Sequence, residues 1–118
     1  MEIETKLARI AELNDRCRLG IDRNARVVVT RTCLARFAPG NARVHEIIAQ
    51  AMLLHAVRNY RFGRDDRAER DCGTVRVAGT EVRFRIDYYD TDLEYGSEDP
   101  TDPSVTVRVL TIMLPEDD

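Results

Sequence analysis

Apolar residues recur at helical intervals along the first twenty positions. In "EIETKLARIAELNDRCRL", Ile3, Leu7, Ile10, Leu13 and Cys17 stand three or four apart, which stacks them on one stripe of a helix over residues 2–19. Glu2, Glu4, Arg9, Glu12 and Arg16 fall mostly on the other side, and Gly20 predicts the stop. "RVVVTRTCL", residues 26–34, is dense in β-branched residues and predicts a strand. "APGN" breaks the chain, and Asn41 is placed to cap a second helix over about residues 42–61. That helix carries Val44, Ile47, Ile48, Ala51, Leu54 and Val57, with Met52 and Leu53 beside them, a face broad enough to pack across a sheet.

After a charged connector at 63–73, "GRDDRAERDCG", the period changes to two. "TVRVAGTEVRFRIDYYD" predicts a β-hairpin around Ala78-Gly79-Thr80. Val75, Val77, Val82, Phe84 and Ile86 share one face, and Arg76, Arg83, Arg85 and Asp87 the other. The same alternation turns Tyr88 to the core and Tyr89 to solvent. "SVTVRVLTIML", residues 104–114, is apolar on both faces near its end, which predicts a strand central in its sheet. On this placement Val109 is buried, Thr106 faces water, and Arg108 joins the polar sheet face of Arg76, Arg83, Arg85 and Asp87. Residues 115–118, "PEDD", read as a short, solvated acidic tail. The order α-β-α-β-β-β predicts one α+β domain over residues 1–118, its two helices packed on one face of a mostly antiparallel four-stranded sheet.

Charge changes this picture more than composition does. A chain of 118 residues suits one domain, and its net charge is −3. Residues 1–86 carry 17 Lys/Arg against 11 Asp/Glu, whereas residues 87–118 carry one arginine against ten acids. Such polarity points to a partner or to pairing within the molecule. Of the 18 basic residues 17 are arginines, which pair bidentately with carboxylates better than lysine does, although a GC-rich genome produces the same bias. No apolar run approaches the roughly 18 residues a membrane helix needs. The acidic, amphipathic start "MEIETKLARI" is unlike a secretory signal, so a cytoplasmic protein without a membrane partner is expected. Cys17, Cys33 and Cys72 match no zinc spacing and predict reduced, partly buried thiols.

Candidate chemistry is sparse. His45 and His55 lie ten apart on one helix and diverge by roughly 80° around its axis. Cys33 has no local nucleophile motif. Asp90-x-Asp92-x-Glu94 alternates oxygens as calcium loops do, but Tyr95 stands where glycine is needed and Thr101 occupies the twelfth place. No catalytic residue, metal or cofactor is therefore expected. What remains is "RIDYYDTDLEYGSEDPTDP", residues 85–103, with seven carboxylates, three tyrosines and one arginine. Pro100 and Pro103 deny it regular structure. A solvated loop, a cation site and a surface for a basic partner compete as readings. For the third, Tyr89, Asp90, Asp92, Glu94, Tyr95, Glu98 and Asp99 form the binding set, with Tyr89 and Tyr95 as anchors. Direct nucleic-acid binding by the arginine face ranks below this, given the acidic pI.

The C-terminal half also resembles a bacterial family called domain of unknown function 3768. Its members share a lysine/arginine-Ile-Asp-Tyr-Tyr-Asp run, a Gly-Ser-x-Asp-Pro loop and an Arg-Val-Leu-Thr-Ile-Met-Leu strand. These correspond to Arg85 to Asp90, Gly96 to Pro100, and Arg108 to Leu114. "IAELND" at 10–15 and "VVVTR" at 27–31 look like the family's opening. Two places depart. The family's Glu-His-Asp-Phe-Gly connector is Glu69-Arg70-Asp71-Cys72-Gly73 here, and its Trp-Lys is Phe84-Arg85. The resemblance implies an origin on plasmids, phages or other mobile elements, whose small proteins are often inhibitors of host immunity. The expected function is therefore a non-enzymatic, anti-CRISPR-like inhibitor that binds the basic nucleic-acid channel of a host defence complex. A hydrolase-like enzyme whose relatives use the histidine lost here, and a nucleic-acid-binding accessory protein, are the alternatives; a homodimer is a further reading of its partners.

Overall fold

In the computed structural model, which describes residues 2–40 and 42–118, the chain runs through three helices and four strands. These are α1 (Ile3–Arg18), β1 (Arg26–Val29), α2 (Arg31–Phe37), α3 (Arg43–Arg58), β2 (Cys72–Val77), β3 (Thr80–Tyr89) and β4 (Val107–Met113), followed by a 3-10 turn at Pro115–Asp117. The sheet order is β1-β4-β3-β2. β2–β3 and β3–β4 pair antiparallel and β1 runs parallel to β4, so the last strand is central and the sheet mostly antiparallel, as expected. The hairpin closes at Val77 opposite Thr80, with Ala78 (φ 49°) and Gly79 (φ 81°) both left-handed. That geometry matches the twist of the flanking strands.

Register puts Ile86 opposite Leu110 and Phe84 opposite Ile112. With Val82 they form the floor of the core, and Cys17 of α1, Cys33 of α2, and Leu53 and Val57 of α3 close it from above. Burying each large aliphatic or aromatic side chain contributes about 1.5–3 kcal/mol. Tyr60, Phe62 and Phe84 pack edge-to-face at one end of this core. A Cβ on Gly73 would lie 2.7 Å from the Phe84 ring and 2.8 Å from Tyr60, so a bare backbone is needed there. No described helix is long and apolar enough to cross a membrane.

The structure corrects several expectations. The first strand ends at Val29, and a third helix, α2, stands where it was expected to continue. The Thr30 hydroxyl accepts the Cys33 N–H at 3.3 Å and caps that helix, which turns Cys33 into the core. The capping role expected of Asn41 lies outside the described residues. α3 presents Ala49, Leu53 and Val57 to the sheet, while Val44, Ile47, Ile48 and Met52 are exposed. Both stripes are apolar, and the sheet takes the narrower one.

The phase of β4 is also opposite to the expected one. Thr106, Arg108, Leu110 and Ile112 are buried on the helix side, and Val107, Val109 and Thr111 lie half-buried on the open face. Arg108 therefore leaves the polar sheet face, because its partners lie in the helix layer. Arg76, Arg83, Arg85 and Asp87 remain on that face, where Arg85 Nε meets Asp87 Oδ2 at 3.0 Å. Nor is "PEDD" simply solvated. Asp117 accepts the Thr30 and Thr32 hydroxyls at 2.8 and 2.6 Å, and Asp118 accepts Arg85 Nη1 at 2.6 Å.

Candidate functional site

The acidic segment is a built hairpin. Tyr89 pairs with Gly96, the Asp90 N–H donates to the Tyr95 carbonyl at 2.8 Å, and the Ser97 N–H donates to the Tyr88 carbonyl at 3.0 Å. At the tip, Asp90 Oδ1 accepts the Glu94 N–H at 3.0 Å, and Leu93 takes a left-handed φ of 60°. On the return limb Asp99 Oδ1 accepts both the N–H and the hydroxyl of Thr101, at 3.1 and 2.6 Å. Asp102 Oδ1 accepts the same two groups of Ser104, at 2.9 and 2.6 Å. Short polar side chains bonding backbone two residues on are turn builders. The Ser104 hydroxyl, and then its amide, hold the Asp102 carboxyl below the usual range.

Four of the seven carboxylates are thus engaged locally: Asp90, Asp99 and Asp102 in turns, and Asp87 with Arg85. Asp92, Glu94 and Glu98 are exposed, and their carboxylates have no partner among the described residues. Tyr95 stands beside them with 73% of its surface exposed. Tyr89 is half-buried on the open sheet face and borders a cavity with Val28, Leu93 and Val109. The expected binding set therefore divides into frame (Asp90, Asp99), exposed charge (Asp92, Glu94, Glu98) and two unequal aromatics (Tyr89, Tyr95).

A buried polar network holds this hairpin to the helix layer. Arg108 Nε donates to Asn14 Oδ1 at 2.7 Å, and Arg108 Nη2 donates to the Pro100 carbonyl at 2.6 Å. Its guanidinium carbon sits 5.0 Å from the centre of the Tyr88 ring. Asn14 Nδ2 donates to the Tyr88 hydroxyl at 2.8 Å and to the Glu69 carbonyl at 2.9 Å, and the Tyr88 hydroxyl donates to Glu69 Oε2 at 2.7 Å. The Thr106 hydroxyl adds a bond to the Asp99 carbonyl at 2.8 Å and meets Ser97 Oγ at 2.6 Å. Burial lowers the Arg108 pKa and pushes the Tyr88 hydroxyl well up. The network draws Asn14, Glu69, Tyr88, Pro100 and Arg108 from five separate stretches of the chain. Sequence reasoning missed Asn14 and Glu69. An asparagine beside Leu13, four residues after Ile10, was the available signal.

The other candidates do not assemble. Cys17 and Cys33 are buried, and desolvation pushes both thiols up to about 11, far from a reactive thiolate. His45 and His55 are exposed on α3, where His55 neighbours the Asn59 amide. Cys72 borders an open cavity of about 500 Å³. Arg85 pairs there with Asp118 at 2.6 Å, and Arg67 turns to Asp71 beside the cavity at 2.9 Å. Among the described residues no cluster of three or more His, Cys, Asp or Glu side chains converges on a cation position.

A family model described as "Protein of unknown function (DUF3768)" matches residues 36–117. Neither the curated proteins nor the solved structures give a match to the chain.

Proposed function

The chain belongs to this DUF3768 family, and we propose that it is a small non-enzymatic binding protein whose acidic hairpin docks on a basic protein surface. The observation that carries this reading is the division of labour among the carboxylates. Asp90, Asp99 and Asp102 fix the hairpin's shape, which leaves Asp92, Glu94 and Glu98 exposed around Tyr95. Like charges held close together repel, and a basic partner converts that repulsion into association. A rigid hairpin also loses little conformational freedom on binding. The arginine face fits nucleic acid less well, because Arg85 is already paired with Asp87 and Asp118, and Arg83 with Asp118.

The partner that best fits this chemistry is a nucleic-acid-binding channel, whose lysines and arginines are arranged for phosphate. Combined with the mobile-element character that the resemblance implies, this makes the protein a cytoplasmic, anti-CRISPR-like inhibitor that occupies the channel of a host defence complex. Affinity capture from host lysate, followed by nucleic-acid binding by the captured complex, tests the proposal. Competition between the protein and nucleic acid for one complex is the expected result. Simultaneous binding of both, with no loss of nucleic-acid affinity, contradicts it.

A further inference from the structure

We propose that the free edge of β1 and the apolar cavity beside the acidic tip together form a docking groove for an extended segment of the partner, added to the sheet as a fifth strand. The segment carries an apolar side chain and, two residues away on the same face, a lysine or arginine. This rests on the basic-partner reading and specifies how such a partner engages.

The backbone supplies the first half. β1 is the outermost strand, paired with β4 alone. The Thr30 N–H donates to the Ile112 carbonyl at 3.0 Å, so by the period of two Val28 also faces β4. Val27 and Val29 then turn their N–H and C=O groups outward, and these have no partner there among the described residues. Edges of this kind are usually blunted by lysine, proline or a bulge. β1 reads Arg-Val-Val-Val, carries a single charge, and leaves Val27 and Val28 each 46% exposed.

The side chains supply the second half. On the open face Val28, Tyr89, Leu93 and Val109, with Arg26 at the margin, line a cavity of about 380 Å³. Leu93, at one end of the cavity, lies between Asp92 and Glu94, whose side chains are exposed on the same hairpin tip. Arg26 is the charged member of the lining itself, and the tip beside Leu93 carries two exposed carboxylates. A strand laid along β1 sends alternate side chains to this face. One of them fills the apolar cavity, and the next reaches the exposed carboxylates of the tip. Strand addition gives affinity through the main chain and selectivity through such alternate side chains.

The test uses a short synthetic peptide with isoleucine followed two residues on by lysine, and threonine elsewhere, added to the ¹⁵N-labelled full chain. Amide hydrogen exchange at Val27 and Val29 is expected to slow by about tenfold at saturation, with shifts at Val28 and Leu93. The same peptide with glutamate for lysine should give neither effect, and Val28→Lys, at an exposed position, should abolish binding without altering the melt. Shifts confined to Asp92 and Glu94, with unprotected Val27 and Val29 amides, overturn the edge-strand mode and leave the basic-partner reading standing. Absence of binding at millimolar peptide overturns it as well. Protection of the same amides in the peptide-free protein as its concentration rises assigns the edge to a second copy of the chain instead.

Discussion

Arg108 donates its Nε–H to Asn14 Oδ1 at 2.7 Å, joining residues 94 positions apart in a buried site. Arg108 forms no ion pair among the described residues, so its charge rests on Asn14, on the Pro100 carbonyl and on the Tyr88 ring. Asn14→Leu strands a buried guanidinium donor and should cost roughly 3 kcal/mol. Pairing it with Arg108→Leu removes the stranded charge, so the double variant should lose less than the sum of the two singles. Urea melts of the four proteins measure this, and strict additivity would contradict the network.

The phase of β4 gives a second test. Thr106 is 5% exposed and its hydroxyl bonds the Asp99 carbonyl, whereas Val109 is half-buried on the open face. Thr106→Asp would place a carboxylate against that carbonyl oxygen in a dry site. It should lower the melting temperature more than Val109→Asp does. The opposite ranking would return β4 to the phase read from the sequence.

These two residues show where local reading stops. The β2–β3 hairpin was legible because Val75 to Ile86 alternate cleanly around a turn that glycine permits. Central placement of the last strand followed from its apolar run. Its phase did not, since a threonine and an arginine turn inward to meet groups contributed by α1 and by the hairpin's return limb. α2 was hidden in the β-branched run, although Thr30 three residues before Cys33 is a helix-cap spacing. α3 carries two apolar stripes, and periodicity alone cannot tell which one meets the sheet. In the hairpin, acidity was legible, but which carboxylates build turns became visible only with the backbone geometry.

Acid should loosen the C-terminal turn. The Thr32 and Thr30 hydroxyls, with the Leu114 amide, hold the Asp117 carboxyl below its ordinary value of 3.8. The folded protein then binds fewer protons than the unfolded chain as pH falls. The Asp117 contribution is therefore complete above the ordinary value and is lost as pH drops through the lower, folded one. Asp117→Asn should flatten the stability profile below about pH 4. An unchanged acid limb would mean that the turn is not anchored this way.

At the alkaline end the sign reverses. Cys17 and Cys33 titrate at about 11 in the folded protein against 9.0 ordinarily, because burial penalises the thiolate. Stability should fall as pH rises from 9 toward 11, where the unfolded chain has released protons that the folded one retains. Replacing both cysteines with alanine should lower stability at neutral pH but make this limb shallower. A limb equally steep in that variant would place its cause elsewhere.

Tyr95 is 73% exposed, so Tyr95→Ala should leave the melt unchanged. A desolvated aromatic anchor is worth about 2 kcal/mol, which predicts roughly thirtyfold weaker partner binding by titration calorimetry. Tyr89→Ala should weaken both binding and stability, because that ring also packs against the open sheet face.

The most direct measurement is partner affinity, at low and high salt, of the Asp92→Lys/Glu94→Lys/Glu98→Lys variant against the wild type. These three carboxylates have no partner among the described residues, so the variant should melt within a few degrees of wild type. Wild-type binding should weaken as salt screens the charges, and the variant should not bind at any salt concentration. A variant that binds as tightly as wild type, with the same salt dependence, would show that the acidic hairpin is not the binding surface.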